Sequence, residues 1–302
     1  MMNVETDRLV AGICVAAVVL LSACGSADPV APERYVETDA LVERINQNLS
    51  QVGNLRKVTE IDHSRLGHEA GSPMPPSRVV IFSDPGLEAQ LVQLHPLVAL
   101  DLPLRVLAFE QGEGGPGRVI YNNFDYLVSR YGLDAGQTST LGKRYARSFS
   151  EATRGVPNEG VSSFENDMMQ PDGIVTITSP YDFDETLRRV NAAIDAQDDT
   201  MHFGKVDFQA LASKQGIEVP PSQMILFGAP GPGGKVMASA VTLGLDGFCQ
   251  KFLVWQDRDG RTHLSFNDLV ALAERQGARK SIALRVVNFR LKKTFKDALA
   301  RN

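Results

Sequence analysis

Four residues of this chain are of types that do chemistry and fall where strands are expected to end: Asp62, His63, Arg105 and Tyr121. Gathered into one pocket, they would hold a small anionic molecule. Arg105 would supply a planar charged fork, and His63 changes charge near neutral pH. The competing reading gives each a structural task. Asp62 then caps a helix, His63 lies on the surface, and Arg105 and Tyr121 sit at the rim of a core. A fifth residue invites covalent chemistry: Cys24 closes Leu21-Ser22-Ala23-Cys24, directly after the uncharged run LVAGICVAAVVLL of residues 9–21.

Other chemistries find little support. The five His stand at 63, 68, 95, 202 and 263. Only His63 and His68 are close, and their spacing does not put two ligands on one helix face as i, i+4 would. Met168-Met169 are of a type that suits copper, but they fall in a turn-rich stretch. No Gly-x-Ser-x-Gly or phosphate-loop motif occurs. The glycines of EGGPG and GAPGPGGK lack the strand–loop–helix spacing that cradles phosphate, and read as turns. Cys249, within GFCQKFLVW, reads as a small buried hydrophobe rather than a nucleophile. No metal site or cofactor is expected. A net charge of −5 and a pI near 5.6 give no basic footprint for nucleic acid.

The elements that must position these residues come in two sets. PPSRVVIFSDP (75–85) returns as PPSQMILFGAP (220–230), an offset of 145 residues. At the same offset Val42, Ile45 and Leu49 become Leu187, Val190 and Ile194, the i, i+3, i+7 spacing of a helix face on a core. IDHSRLGHEAG becomes VDFQALASKQG, Leu100-Asp101 becomes Leu245-Asp246, and YNNFDYLVSRYG matches FNDLVALAERQG. With the offset slipped by one, RSFSEA (147–152) matches KTFKDA (293–298). A register kept over so long a stretch marks a duplication.

Each copy reads as a short strand (ERYVE or GIVTITS), an amphipathic helix, and a second strand ending at Asp62 or Asp207, which cap the next helix. RVVIF and QMILF are continuous apolar runs of strand length, as expected of central strands. LRVLAFE with RVIYN, and KFLVWQ with THLSF, read as hairpins. Two helices close each copy, the last of them basic. The fold class is α+β, with mostly antiparallel sheets and helices on one face. The expected division is a signal segment over 1–23, a tether over 24–33, a first domain copy over 34–156, a linker over 157–171 and a second copy over 172–302.

IDH, PPSRVVIFSDP, LDLPLRVLAFE, RVIYNN and YLVSRYGL, in this order, resemble the bacterial family called domain of unknown function 302. The resemblance covers nearly all of 34–156 and, more weakly, 172–302. It implies a compact β-α-β-β-β-β-α domain of the TATA-binding-protein-like class, an ability to dimerise, and no established activity. Asp62, His63, Arg105 and Tyr121 match its motifs. The first copy departs from the family's Phe-Gly-x-Pro turn with Phe82-Ser83-Asp84-Pro85, which the second keeps as Phe227-Gly228-Ala229-Pro230. The second copy has Phe208 for His63 and LDGFCQ for LDLPLR. A site built from these residues would therefore survive only in the first copy. The two copies are expected to pack as an internal pseudo-dimer in place of a family homodimer.

The amino terminus resembles a bacterial lipoprotein signal. Thirteen apolar residues are too few to span a bilayer, which takes roughly 20, but they suit an export signal. Leu-Ser-Ala-Cys resembles a lipobox, so Cys24 would carry the lipid, and Gly25 behind it favours the outer membrane. Only Cys249 then remains in the mature domains, so no internal disulfide is expected. The expectation is an envelope lipoprotein facing the periplasm, anchored through lipid at Cys24. It would act as a binding or interaction module for a small anionic ligand or an envelope protein. The alternative is an enzyme on a small envelope metabolite using Asp62, His63 and Arg105. The basic segment from Arg279 onward could lie on an anionic membrane, but the equivalent helix KRYARSFSEATR of the first copy argues that basic character belongs to the fold.

Overall fold

Val42, Ile45 and Leu49 form the buried face of helix α1 (Val36–Gln51), and Leu187, Val190 and Ile194 face the core from α6 (Phe183–Asp195). These two helices lie across the sheets of their own halves. The computed structural model describes residues 32–112, 114–156, 161–164 and 173–301. The signal segment, Cys24 and Met168-Met169 lie outside the described residues.

The first half runs α1, β1 (Arg56–Asp62), α2 (His63–Glu69), β2 (Ser77–Ser83), α3 (Pro85–Leu94), a 3-10 turn (Pro96–Asp101), β3 (Leu104–Glu110), β4 (Gly117–Asn122), α4 (Phe124–Tyr131), α5 (Ala135–Ala152) and β5 (Val161–Phe164). The second runs β6 (Ile174–Thr178), α6, β7 (Met201–Asp207), α7 (Phe208–Ser213), β8 (Ser222–Gly228), α8 (Pro230–Met237), a 3-10 turn (Val241–Gly244), β9 (Gln250–Gln256), β10 (Thr262–Asn267), α9 (Leu269–Arg275) and α10 (Ile282–Ala298). The sheet orders are β1-β2-β3-β4-β5 and β6-β10-β9-β8-β7. All pairings are antiparallel except β4 with β5. The apolar runs of β2 and β8 are interior strands, as expected of sequences buried on both faces.

Three local expectations change. ERYVE is not a strand: Pro32–Tyr35 is a 3-10 turn running straight into α1. The edge beside β4 is taken instead by VSSF of the expected linker, which pairs in parallel, Tyr121 opposite Ser163. Among the described residues only the second half has a leading strand, β6, antiparallel to β10. GAPGPGGK is not a turn either but the start of α8, with Pro230 in the first helical turn, where its missing N–H costs nothing.

The halves pack as a pseudo-dimer. Each lays its 3-10 turn on the other's sheet: Pro96–Asp101 against β8, β9 and β10, and Val241–Gly244 against β2 and β3. Helix α2 crosses α8, and the equivalent α7 crosses α3. At the first crossing a Cβ on Gly234 would stand 2.4 Å from the Ser72 carbonyl oxygen and 3.3 Å from the Gly67 Cα, so the glycines of α8 serve close approach of two backbones. Apolar side chains of both halves, Val79, Leu107, Leu226 and Leu253 among them, join one core cluster.

Candidate functional site

Asp62 does cap α2, accepting from the Arg65 N–H at 2.9 Å, as Asp207 caps α7 by accepting from Ala210 N–H at 2.8 Å. Its second oxygen meets Arg65 Nη1 at 2.5 Å, and Arg78 Nε stands 3.5 Å away. Asp39 shares both arginines with it, and Glu60 shares Arg78. The second half carries Ala210 and Gln223 at the two arginine positions, so this network is built once.

His63 is not on the surface. It is buried, and its Nε2–H donates to the Gly244 carbonyl of the other half at 3.0 Å, which fixes the tautomer. Burial holds its pKa down at about 4, with the Gly244 bond and the Asp62 charge pulling weakly the other way. Tyr121 is half-buried and stacks on Phe149 at 4.3 Å, and burial raises its hydroxyl pKa. No hydrogen bond or ring contact links any two of Asp62, His63, Arg105 and Tyr121. They do not form one pocket.

Arg105 belongs instead to a buried ionic cluster between the halves. It donates to the carbonyls of Leu102 (3.1 Å) and Pro103 (3.0 Å), and its Nη1 lies 3.6 Å from Asp246 of the second half. Lys251 Nζ donates to Asp246 at 3.0 Å and stands 3.9 Å from Asp101. Asn122 Nδ2 donates to Asp246 at 2.9 Å, and Arg130 joins Asp101 at 2.7 Å to Asn267 at 2.5 Å. Burial lowers the Lys251 pKa to about 8, helped by the Arg105 charge and opposed by the two aspartates. For Asp246, burial pushes the pKa up, but Lys251, Arg105 and Asn122 overcome it and hold the carboxyl below the usual range. The paired Leu-Asp of the repeat was the sequence signal for this cluster. Lys251, which stands where the first half has Val106, gave none.

An accessible polar cleft lies elsewhere in the first half. A cleft of about 500 Å3 opens between the loop after α1 and helix α5, lined by Asn54, Lys143, Arg144, Arg147, Ser148 and Glu151 among others. Behind Asn54, Arg144 and Ser148 of this lining lies Asp84, fully buried at the N-terminus of α3. Asp84 accepts from Leu87 N–H (3.3 Å), Asn54 (3.1 Å), Ser148 (3.1 Å) and both Nε (3.0 Å) and Nη2 (2.5 Å) of Arg144. Arg144 is therefore neutralised, while Lys143 and Arg147 meet no carboxylate within ion-pair distance among the described residues. Two exposed cations at a cleft that also presents the polar side chains of Asn54 and Ser148 can receive an anion.

Residues 32–150 and 175–298 each match the family described as Domain of unknown function DUF302. The chain belongs to the DUF302 family, as a tandem of two copies. Among curated proteins it is similar to Fluoride-specific ion channel FluC 1 of Brucella suis biovar 1, 33% identical over 117 residues, covering 38% of this chain and 45% of that protein. The protein of the same name in Brucella abortus biovar 1 matches at 33% over 117 residues, 38% of this chain and 43% of that protein. The chain thus spans less than half the length of the curated relatives it matches. Among solved structures, an uncharacterized conserved DUF302 protein from Bacillus stearothermophilus aligns at 16% identity and a TM-score of 0.36, over 42% of this chain and 96% of that one.

The departures from the DUF302 turn now have physical causes. A Cβ on Gly228 would stand 2.7 Å from the Phe203 ring, so the second copy keeps glycine. The first copy has Val58 at the Phe203 position, half-exposed, and Ser83 fits, donating to buried Glu88 at 2.6 Å. Burial raises the Glu88 carboxyl pKa to about 7, against the opposing Ser83 hydrogen bond. The neighbouring Asp84 replaces Ala229 and holds Arg144 and Ser148 of the cleft wall.

Proposed function

We propose that this DUF302 tandem is a lipid-anchored protein of the bacterial envelope, facing the periplasm, whose first copy binds a small anionic molecule in the cleft beside α5. The observation that carries the reading is the pair Lys143 and Arg147, which stand over the cleft without carboxylate partners. The second copy supports it by contrast, placing Phe289 and a Lys293 paired to Asp297 at the same helical positions. The anchor rests on the Leu21-Ser22-Ala23-Cys24 sequence, and Gly25 favours the outer membrane. Partner docking by an envelope protein remains the other use of such a module. The enzyme reading loses ground, because His63 and Arg105 face the interface between the halves rather than solvent. The curated matches are of a length comparable to one DUF302 copy, so they support a shared domain, not the channel activity in those proteins' names.

Thermal melting with inorganic phosphate, sulfate and citrate tests the cleft. At a hundredfold excess over Kd a bound anion stabilises by about 2.7 kcal/mol. We expect a concentration-dependent rise in Tm that Lys143→Ala with Arg147→Ala abolishes. An equal rise in that variant would place binding elsewhere. Cys24→Ala tests the anchor separately, and should lower the apparent mass of the protein by that of the lipid.

A further inference from the structure

Helix α10 turns Leu284, Leu291 and Phe295 into the core. On its opposite face Ile282, Val286 and Phe289 are 83%, 60% and 67% exposed. Spaced i, i+4, i+7, they form one continuous stripe. Lys293 and Lys296 continue that face, and Arg285 borders it. Arg290 and Lys293 are matched by Asp199 and Asp297, and Lys292 by Asp268. Arg285 and Lys296 meet no carboxylate within ion-pair distance among the described residues.

The sister helix shows that the fold does not ask for this stripe. In α5 the equivalent positions are Gly136, Thr140 and Lys143, all exposed and none apolar. Basic character is therefore common to both closing helices, while the exposed apolar residues belong to α10 alone. That separates two features which the sequence presented as one.

We propose that the outer face of α10 docks on an anionic lipid surface. Ile282, Val286 and Phe289 enter the boundary between headgroups and acyl chains, and Arg285 and Lys296 meet lipid phosphates. A membrane offers an apolar layer and negative charge together, which is what this face matches. A second copy of the chain matches it worse. Two such helices packed antiparallel would bring their own cations together, and three apolar side chains fall far short of the roughly 20–30 residues a side of a stable interface. The proposal rests on neither the cleft nor Cys24.

The test uses the full chain carrying Phe289→Trp and Trp255→Phe, with vesicles of phosphatidylglycerol and phosphatidylethanolamine whose acyl chains are brominated. The new indole should shift to the blue and be quenched. Phosphatidylcholine vesicles should leave it unchanged, and Arg285→Glu with Lys296→Glu should weaken binding by about tenfold or more. If Trp255→Phe does not fold, Trp255 is retained and its emission subtracted. An unquenched indole overturns the proposal, whether the protein sediments with the vesicles or not. So does a blue shift without vesicles that grows with protein concentration, which would assign the stripe to a second copy.

Discussion

Arg144 and Arg290 stand at the same turn of the closing helix in the two halves, yet they hold different acids. In the first half Arg144 grips Asp84, buried at the start of α3. In the second, Arg290 grips Asp199 in the loop after α6, at 2.6 Å through both guanidinium nitrogens. The acid has changed places: Asn54 stands where Asp199 does, and Ala229 where Asp84 does. Duplication kept the interaction and moved its partner. The move has consequences, since the buried acid holds Asn54, Arg144 and Ser148 in the wall of the cleft beside Lys143 and Arg147, whereas Asp199 meets Arg290 at the surface. Two copies of one domain thus present a cation-lined cleft on one side and an apolar stripe on the other.

The largest expected effect is at the junction where the halves differ in charge. Lys251 has Val106 as its counterpart, and Arg105 has Gln250, so both cations lean on Asp246 from different halves. Asp246→Ala leaves two buried cations short of their carboxylate, which should cost about 3–5 kcal/mol. Denaturant unfolding should show one transition at a lower midpoint, because the junction belongs to both halves. A second half that melts alone, with the first unchanged, would mean that the copies are independent domains placed side by side.

Next comes the one-sided histidine. Phe208 fills in the second half the place that His63 fills in the first, and both are buried. The folded His63 pKa lies near 4, below its ordinary 6.5, so the folded state resists protonation. Its stabilising contribution is full above pH 6.5 and is lost as pH falls toward 4. Glu88 acts in the opposite sense. Its folded pKa near 7 exceeds the ordinary 4.5, so its contribution is full at low pH and fades as pH rises through 7. The two partly cancel in the native protein, and the informative quantity is the difference from His63→Gln. The advantage of the native protein over that variant should shrink by about 3 kcal/mol between pH 6.5 and pH 4. A constant difference would show that His63 does not stay neutral at the junction.

How far the sequence foretold this molecule follows the reach of each interaction. The caps at Asp62 and Asp207, the interior strands and the helix faces depend on neighbours within a few residues, and were legible. The repeat made the pairing of like elements legible as well. The position of His63 was not, because its partner Gly244 lies 181 residues away. From its neighbours Arg105 reads as a core-rim residue or a ligand fork for the same reason, its carboxylate being in the other copy. VSSF lacked any sign of strand formation beyond its own four residues, and only the open edge of β4 recruits it. The glycines of α8 resembled a turn because local rules penalise glycine in helices, while the crossing with α2 requires it. The cleft is not legible in the sequence because Lys143 and Arg147 fall in KRYARSFSEATR, whose basic character both closing helices share. Their contrast with Phe289 emerges only once α5 and α10 are set side by side.

The smallest effects test the exchanged acids themselves. Asp84→Ala removes a helix cap and strands the donors of Asn54, Ser148 and Arg144, and should cost about 2–3 kcal/mol. Asp199→Ala breaks a pair whose side chains are 37% and 42% exposed, so solvent already screens it and the loss should stay below about 1 kcal/mol. The sharper experiment transplants the second half's solution into the first. Asn54→Asp added to Asp84→Ala gives Arg144 an acid where Arg290 finds one. If the two loops are interchangeable supports for one arginine, the double variant should unfold at a higher denaturant midpoint than Asp84→Ala alone, by a surface pair's worth and no more. A double variant no better than the single would mean that Asp84 matters as a cap and not as the partner of Arg144, and the equivalence of the two arginines would fail.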